Sequence, residues 1–312
     1  MTRGIHMTQQ VIGFVGFGEA AQCFARHLAA KGRVKGGSAP LVFCDGKTNR
    51  PPYSEAFRTM ASNCGVELVD SLPALMARAD IVFSAVVVAT AVPAGQAIAS
   101  LVRPEMLVVD VNASTPKAKR LVGDAVAANG GAFVDANLMG AVSIYGAAVP
   151  LYCSGDGAAR FAELFAPLGF TIEQAGPEAG TAAAVKMLRS VVTKGMEALI
   201  VEALTAASLA GVRSEALRGI CEPMDATRYS KFVDMCVRTD VLHAERRAVE
   251  MDGIAEGLRE IGLQPIMTEA TAARLWTSAR LGLRDDFAAR QAYSADDVLD
   301  AYAARAADLP RP

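Results

Sequence analysis

Histidine is nearly missing from this chain: His6, His27 and His243 are the three in 312 residues. Cysteine is sparse and scattered, at positions 23, 44, 64, 153, 221 and 236. No two cysteines are close enough for a C-x-x-C clip, and none stands at metal-ligand spacing from a histidine, so no zinc centre is expected. Single thiols without pairing signals fit a reducing compartment, and Met1–Gln10 lacks the apolar stretch of a signal peptide, so a cytoplasmic location is expected. Met7 offers an alternative start. Aromatic residues are only 6%, with Trp276 the one tryptophan, too few for the stacking platforms that hold single-stranded nucleic acid. An excess of one charge is lacking as well. The formal net charge is −2, so neither nucleic acid nor a membrane is expected as a partner.

The longest uncharged stretch, Ile81–Val102, would be long enough to span a bilayer. Ser84, Thr90, Pro93, Gly95, Gln96 and Ser100 interrupt it. It reads as a buried strand over Ile81–Val88, a turn at Pro93 and a short helix.

What the chain does have is apolar material: 52% hydrophobic against 21% charged residues, enough to bury a core and to exclude disorder. Short apolar runs at Val11–Gly16, Leu41–Cys44, Val66–Val69, Ile81–Val88, Met106–Val111, Ala132–Val134 and Val149–Cys153 alternate with helical patterns such as Glu19–Ala30. Strands alternating with helices predict an α/β fold of Rossmann type, a doubly wound and mainly parallel sheet. After Gly180 no strand-like run remains. Thr181–Ala210, Ser214–Cys221, Thr227–Val237, Val241–Ile261, Pro265–Leu281 and Ser294–Ala307 read as helices, and Asp308–Pro312 as a fraying end. The expected division is a dinucleotide-binding domain over 1–178 and an all-helical substrate and dimerisation domain over 179–312.

Gly16-Phe17-Gly18-Glu19-Ala20-Ala21 fits G-x-G-x-x-[G/A], directly after an apolar run and at the start of a helix. Gly16 permits the tight turn, Gly18 lets a pyrophosphate reach the backbone, and Ala21 lets the helix pack on the strand. Phe17, Glu19 and Ala20 belong to the same cofactor-binding turn, and the anion sits at the helix N-terminus. Val86 and Val87, at the end of the run from Ile81, are placed beside the cofactor. Asp45 closes the next run and suits the ribose hydroxyls of NAD while repelling the 2′-phosphate of NADP. It lies farther from Gly18 than is usual, which a polar insertion at Lys31–Ser38 accounts for. Lys47 and Arg50 follow closely, as a solvated turn or as phosphate ligands, so NADP stays open.

The chain resembles the β-hydroxyacid dehydrogenase family, which includes 3-hydroxyisobutyrate and 6-phosphogluconate dehydrogenases. Besides the glycine turn, three segments carry the resemblance. Asp110-Val111-Asn112-Ala113-Ser114-Thr115-Pro116 stands where the family has D-x-S-T-x-x-P. Asp135-Ala136-Asn137-Leu138-Met139-Gly140-Ala141 stands where it has D-A-P-V-S-G-G. Gly180 to Lys186 stands where it has a glycine and then a catalytic lysine, with an asparagine four residues on. Asn112, Ala113, Met139 and Ser190 depart from the family pattern, and the spelling around Lys186 looks like an atypical phosphogluconate-dehydrogenase-like branch with a distinctive helical C-terminal domain. The resemblance implies a catalytic Lys186, with Asn112, the Gly140 backbone and Ser190 holding the substrate, a small organic acid.

Read without any family, the segment 181–210 places Lys186, Ser190, Thr193 and Glu197 within about 40° of one another at 100° per residue. Lys194 and Arg189 flank this stripe. The rest of the circumference is apolar, which predicts burial, and the family resemblance implies that the partner subunit of a homodimer helps to cover it. The stripe suits either a ligand or an internal seam such as Lys194 with Glu197. On its own helix, His243 with Arg246, Arg247 and Glu250 is either an anion-contacting face or a solvated, salt-bridged surface.

The expected function is hydride transfer between a nicotinamide and a small hydroxy acid, or its keto or semialdehyde form, with Lys186 moving the proton. Imine reduction on the same scaffold, and a non-catalytic NAD-binding sensor, are the alternatives.

Overall fold

The short apolar runs of the first half gather into one eight-stranded sheet. In the computed structural model, which describes residues 10–33, 39–46 and 49–306, the strands are β1 (Ile12–Val15), β2 (Leu41–Phe43), β3 (Glu67–Leu68), β4 (Ile81–Ser84), β5 (Leu107–Asp110), β6 (Ala132–Leu138), β7 (Leu151–Ser154) and β8 (Ile172–Gln174). Their order across the sheet is β3-β2-β1-β4-β5-β6-β7-β8. Every neighbouring pair is parallel except β6 with β7. The expected α/β Rossmann-type sheet is thus present.

Successive residues of one strand enter different cores, as a period of two demands. Phe14, Phe83 and Val109 join a phenylalanine-rich core with Phe24, Phe161 and Phe165. Val15, Val82 and Val108 join a second core with Leu75, Val122 and Phe133. Both faces of the sheet are covered, which is why these strands read as unbroken apolar runs. The covering helices are α1 (Glu19–Leu28), α2 (Glu55–Asn63), α3 (Leu72–Arg78), α4 (Ala91–Ala99), α5 (Pro116–Ala128), α6 (Val142–Tyr145) and α7 (Ala158–Phe165). The remaining helices are α8 (Thr181–Leu209), α9 (Arg213–Ala226), α10 (Tyr229–Glu260), α11 (Ile266–Arg280), α12 (Arg284–Ala288) and α13 (Ala295–Ala306).

Several details differ from the sequence reading. The strand expected over Ile81–Val88 stops at Ser84, and Pro93 lies in the first turn of α4 rather than in a turn before it. A first-turn proline gives up an N–H that has no partner within the helix. Only one helix, α10, runs where a break was expected between Val237 and Val241. Arg238-Thr239-Asp240 contains no glycine or proline, and Arg238 pairs with Asp234 one turn back. Strand β8 was not foreseen, because a three-residue edge strand ending Glu173-Gln174 carries no apolar run. Residues 34–38 of the insertion, Lys47, the segment around His6 and Met7, and Asp308–Pro312 lie outside the described residues.

The chain divides into two compact units, Met1–Ser190 and Val191–Pro312, so the division falls inside α8 and after the change of sequence character at 178/179. Within the second unit, Val241, Leu281, Leu283, Phe287 and Val298 form a small core. There Glu202 accepts from the backbone N–H groups of Met267 (2.7 Å) and Thr268 (2.8 Å), capping the start of α11. The expectation that α8 is buried is not met within a single chain. Leu188, Val191 and Val201 are 61%, 66% and 61% exposed. Among the described residues, no helix is long and apolar enough to cross a membrane.

Candidate active site

The glycine turn connects β1 to α1 at the middle of the parallel sheet, between β2 and β4, where the strand order reverses and ligands of such sheets bind. Gly16 has φ +86°, and a Cβ on it would lie 2.3 Å from the Ala85 carbonyl oxygen, so only glycine fits. Its N–H donates to the Phe43 carbonyl at 2.9 Å, which fixes the turn against β2. Gly18 is different: a Cβ there would meet nothing within 4 Å. That open space lies at the N-cap of α1, where no side chain caps the helix. Unsatisfied N–H groups at a helix start beside free space suit an anion. Phe17 turns its ring inward against Phe57, leaving its backbone to the turn, while Glu19 is exposed and Ala20 half-buried. Asp45 stands exposed two residues beyond β2, at the same edge of the sheet, and Arg50 is exposed nearby in sequence.

Cys44 lies under this turn. Burial pushes its thiol up to about 12, although the Gly16 and Phe17 backbone amides pull the other way. It is a packing residue, as its apolar context suggested.

Past β4 the chain leaves the sheet at Ala85–Val87. Val86 is half-buried, and Val87 is 70% exposed. The Val86 N–H donates to Asn112 Oδ1 at 2.7 Å, and Asn112 Nδ2 donates to Ser84 Oγ at 2.9 Å. Asn112, expected to hold a substrate oxygen, therefore has both ends of its buried amide engaged within the fold. It holds the Val86 loop. Ser114, two residues on, has a buried hydroxyl oxygen with no hydrogen-bond partner. After β6, Met139 and Gly140 are half-buried, and Ile144 and Tyr145 of α6 are exposed. Val87, Ile144 and Tyr145 thus follow the carboxyl ends of two parallel strands of the sheet.

Sequence reasoning missed the charged centre beneath these loops. Lys119 is 0% exposed and pairs with Asp110 Oδ1 at 3.1 Å and Asp135 Oδ1 at 3.2 Å. It also donates to the Asp110 carbonyl at 2.7 Å. Asp135 Oδ2 accepts from the N–H groups of Gly180 (3.1 Å) and Ala183 (3.0 Å), and Ser154 Oγ accepts from Ala182 N–H at 3.0 Å. The start of α8 is therefore capped by side chains of the sheet. The signal in the sequence is Lys119 itself, which shares one helix face with Val122, Gly123 and Val126.

Lys186 lies on α8 about 9 Å along the axis beyond Gly180, at 1.5 Å per residue. It is half-buried, as is Ser190 one turn later, whereas Thr193, Lys194 and Glu197 are exposed. The stripe expected from the sequence is thus continuous on the helix but sheltered only at Lys186 and Ser190. His243 and Arg246 are exposed, and Arg246 pairs with Glu250, as a solvated surface would have it.

Residues 207–277 match a family described as "Domain of unknown function (DUF1932)". A conserved hypothetical protein from Sinorhizobium meliloti 1021 is 30% identical, the match covering 97% of this chain and all of that one, with a TM-score of 0.60. The conserved protein MTH1747, described as structurally similar to 3-hydroxyacid dehydrogenases, is 29% identical, with 86% and 98% covered and a TM-score of 0.57. The chain belongs to the same family as the Sinorhizobium meliloti protein, and it shares the fold of MTH1747. An imine reductase from Aspergillus terreus, in complex with NADPH4 and dibenz[c,e]azepine, shares this fold at 17% identity, with 88% and 95% covered and a TM-score of 0.69. The glycine turn precedes α1, and Lys186 lies in the second turn of α8. The departures from the family pattern noted in the sequence lie after β5 and β6 at Asn112 and Met139, and on α8 at Ser190.

Proposed function

We propose that the protein is a NAD(P)-dependent oxidoreductase that moves a hydride between the nicotinamide and a small hydroxy acid, or its keto or semialdehyde form, with Lys186 as the proton carrier. The observation that carries this reading is the glycine turn: Gly16 closed against Ala85 and Gly18 open before an uncapped helix start, at the strand-order reversal. These residues fit a dinucleotide pyrophosphate, and Asp45 fits the adenosine ribose. When bound, the nicotinamide supplies or accepts the hydride at C4. The Val86 backbone, held by Asn112, and the Val87 side chain line the cofactor. Lys186 gives a proton to the developing alkoxide in reduction and takes it from the hydroxyl in oxidation, while Ser190 and the Gly140 backbone orient the substrate oxygens. The protein works as a homodimer, its exposed apolar α8 face covered by a second copy.

Imine reduction is the second reading. It is favoured by what the loops lack: Met139 stands where the family has a serine, and the Asn112 amide is engaged internally. The exposed Val87, Ile144 and Tyr145 would suit an apolar amine better than a hydroxy acid.

Single-turnover oxidation of bound NADH and NADPH, challenged with keto acids, semialdehydes and cyclic imines, tests both readings. Oxidation by a keto acid or semialdehyde supports the first and by an imine the second. Oxidation by neither, with tight cofactor binding, identifies a dinucleotide sensor. Asp45 predicts tighter binding of NADH than of NADPH, and Asp45→Ala narrows the gap. A lower dissociation constant for NADPH in the unsubstituted protein would hand the ribose site to Lys47 and Arg50.

A further inference from the structure

The buried charges beneath the loops do not sum to zero. Asp110 and Asp135 carry two negative charges against the one positive charge of Lys119, all three buried. Leaving a buried charge unbalanced is costly. The remaining countercharge is the start of α8, whose N–H groups at Gly180 and Ala183 meet Asp135 Oδ2. Sliding or rotating α8 away would strand a carboxylate in the interior, so the helix is seated by electrostatics as well as by packing. The other end of the same network reaches the cofactor loop. Asp110 Oδ1 accepts from the Asn112 N–H at 2.8 Å, and Asn112 Oδ1 accepts from the Val86 N–H at 2.7 Å.

We infer that Asp135 is a positioning residue. It fixes the seat of the helix that carries Lys186 and, through Lys119, Asp110 and Asn112, ties that seat to the backbone at Val86. The catalytic half of this inference rests on the reading of Lys186 as proton carrier, and the structural half does not.

The test uses the full chain with Asp135→Asn and, as a milder change, Ser154→Ala, which removes the Ala182 contact and the hydrogen bond that Ser154 Oγ donates to Asp135 Oδ2 at 3.3 Å but leaves the charges in place. Amide hydrogen exchange is read at residues 180–186, at Val86, and at Phe57, which is capped by Ser54 in a separate helix. In Asp135→Asn, exchange at 180–186 and at Val86 rises by about tenfold or more while Phe57 stays unchanged. In Ser154→Ala, only residues 180–186 respond. For a substrate that the unsubstituted protein turns over, Asp135→Asn lowers kcat by about tenfold or more, with KM and the NADH dissociation constant nearly unchanged, because misplacing a proton carrier leaves binding intact.

A rise shared by Phe57 would reduce the network to a general stabiliser, and an unchanged Val86 would break the tie to the cofactor loop. Either overturns the inference, as does a change confined to KM. If Asp135→Asn fails to fold, Ser154→Ala decides by the same kcat-against-KM split, and an unchanged kcat rejects the positioning role. If the unsubstituted protein oxidises no bound cofactor, the oxidoreductase reading fails by itself, and the exchange pattern still judges the tie.

Discussion

At the scale of single residues, two kinds of buried polar group have opposite jobs. Lys186 is only half-buried, on the sheltered part of its stripe, as its proposed role as proton carrier requires. Lys186→Met or Lys186→Ala lowers turnover by about 10²–10⁴, with NADH affinity nearly unchanged, since proton transfer is lost and the glycine turn is intact. Lys186→Arg fails equally, because a guanidinium keeps its proton near neutral pH. Steady-state rates beside fluorescence titration of NADH check this. The exposed Lys194, about 80° round the helix, serves as the control, and loss of activity in Lys194→Ala alone would move the assignment. The buried thiols are inert by contrast. Burial lifts Cys44 and Cys153 to about 12, helped at Cys153 by the Asp135 charge. Raised values mean less thiolate, about one part in 10⁴ at pH 8. Iodoacetamide at that pH leaves both unmodified while the exposed Cys221 reacts, as peptide mass spectrometry would show.

At the scale of elements, the decisive joint is the start of α8. Gly180 has φ +92°, and a Cβ there would sit 2.7 Å from the Pro116 carbonyl oxygen. Gly180→Ala therefore destabilises the protein by roughly 1–3 kcal/mol, read as a lower denaturant midpoint at unchanged slope. A midpoint equal to that of the unsubstituted chain would mean that the turn yields without strain. The sequence displayed this element well, since 181–210 has no breaker except Gly195. It did not display the cap, because Asp135, Ser154 and Gly180 are far apart along the chain and only the sheet brings them together. The glycine turn was legible for the opposite reason: its whole geometry is local, from Val11 to Ala21. Asn112 was read through the motif at its position, and its partners within the fold, Ser84 and Val86, were not legible because they come from a neighbouring strand and the loop after it. The break expected in α10 fell at Arg238-Thr239-Asp240, although a charged turn without glycine or proline is also a good helix surface.

At the scale of the whole molecule, the exposed apolar residues decide how the chain lives in solution. Leu188, Val191 and Val201 on α8 are joined by Val249, Ile254 and Ile266 on later helices as exposed large hydrophobics. A large exposed apolar patch is a sign of a partner, and the proposed obligate interface would bury more than about 2,000 Å². The proposed homodimer predicts a dimer in sedimentation at micromolar concentration, with Val191→Glu shifting it toward monomer and lowering thermal stability. A monomer at that concentration without any substitution would reject the proposal. The sheet, meanwhile, is poorly built for growth. Its outer strands are β3, two residues long and opening on Glu67, and β8, three residues long and ending Glu173-Gln174. So short and charged a border offers a foreign strand almost no ladder to extend. When this protein is heated or overproduced, its aggregates should begin as sticky helices rather than as amyloid, and solubilising it calls for changes on the helices and none on the sheet.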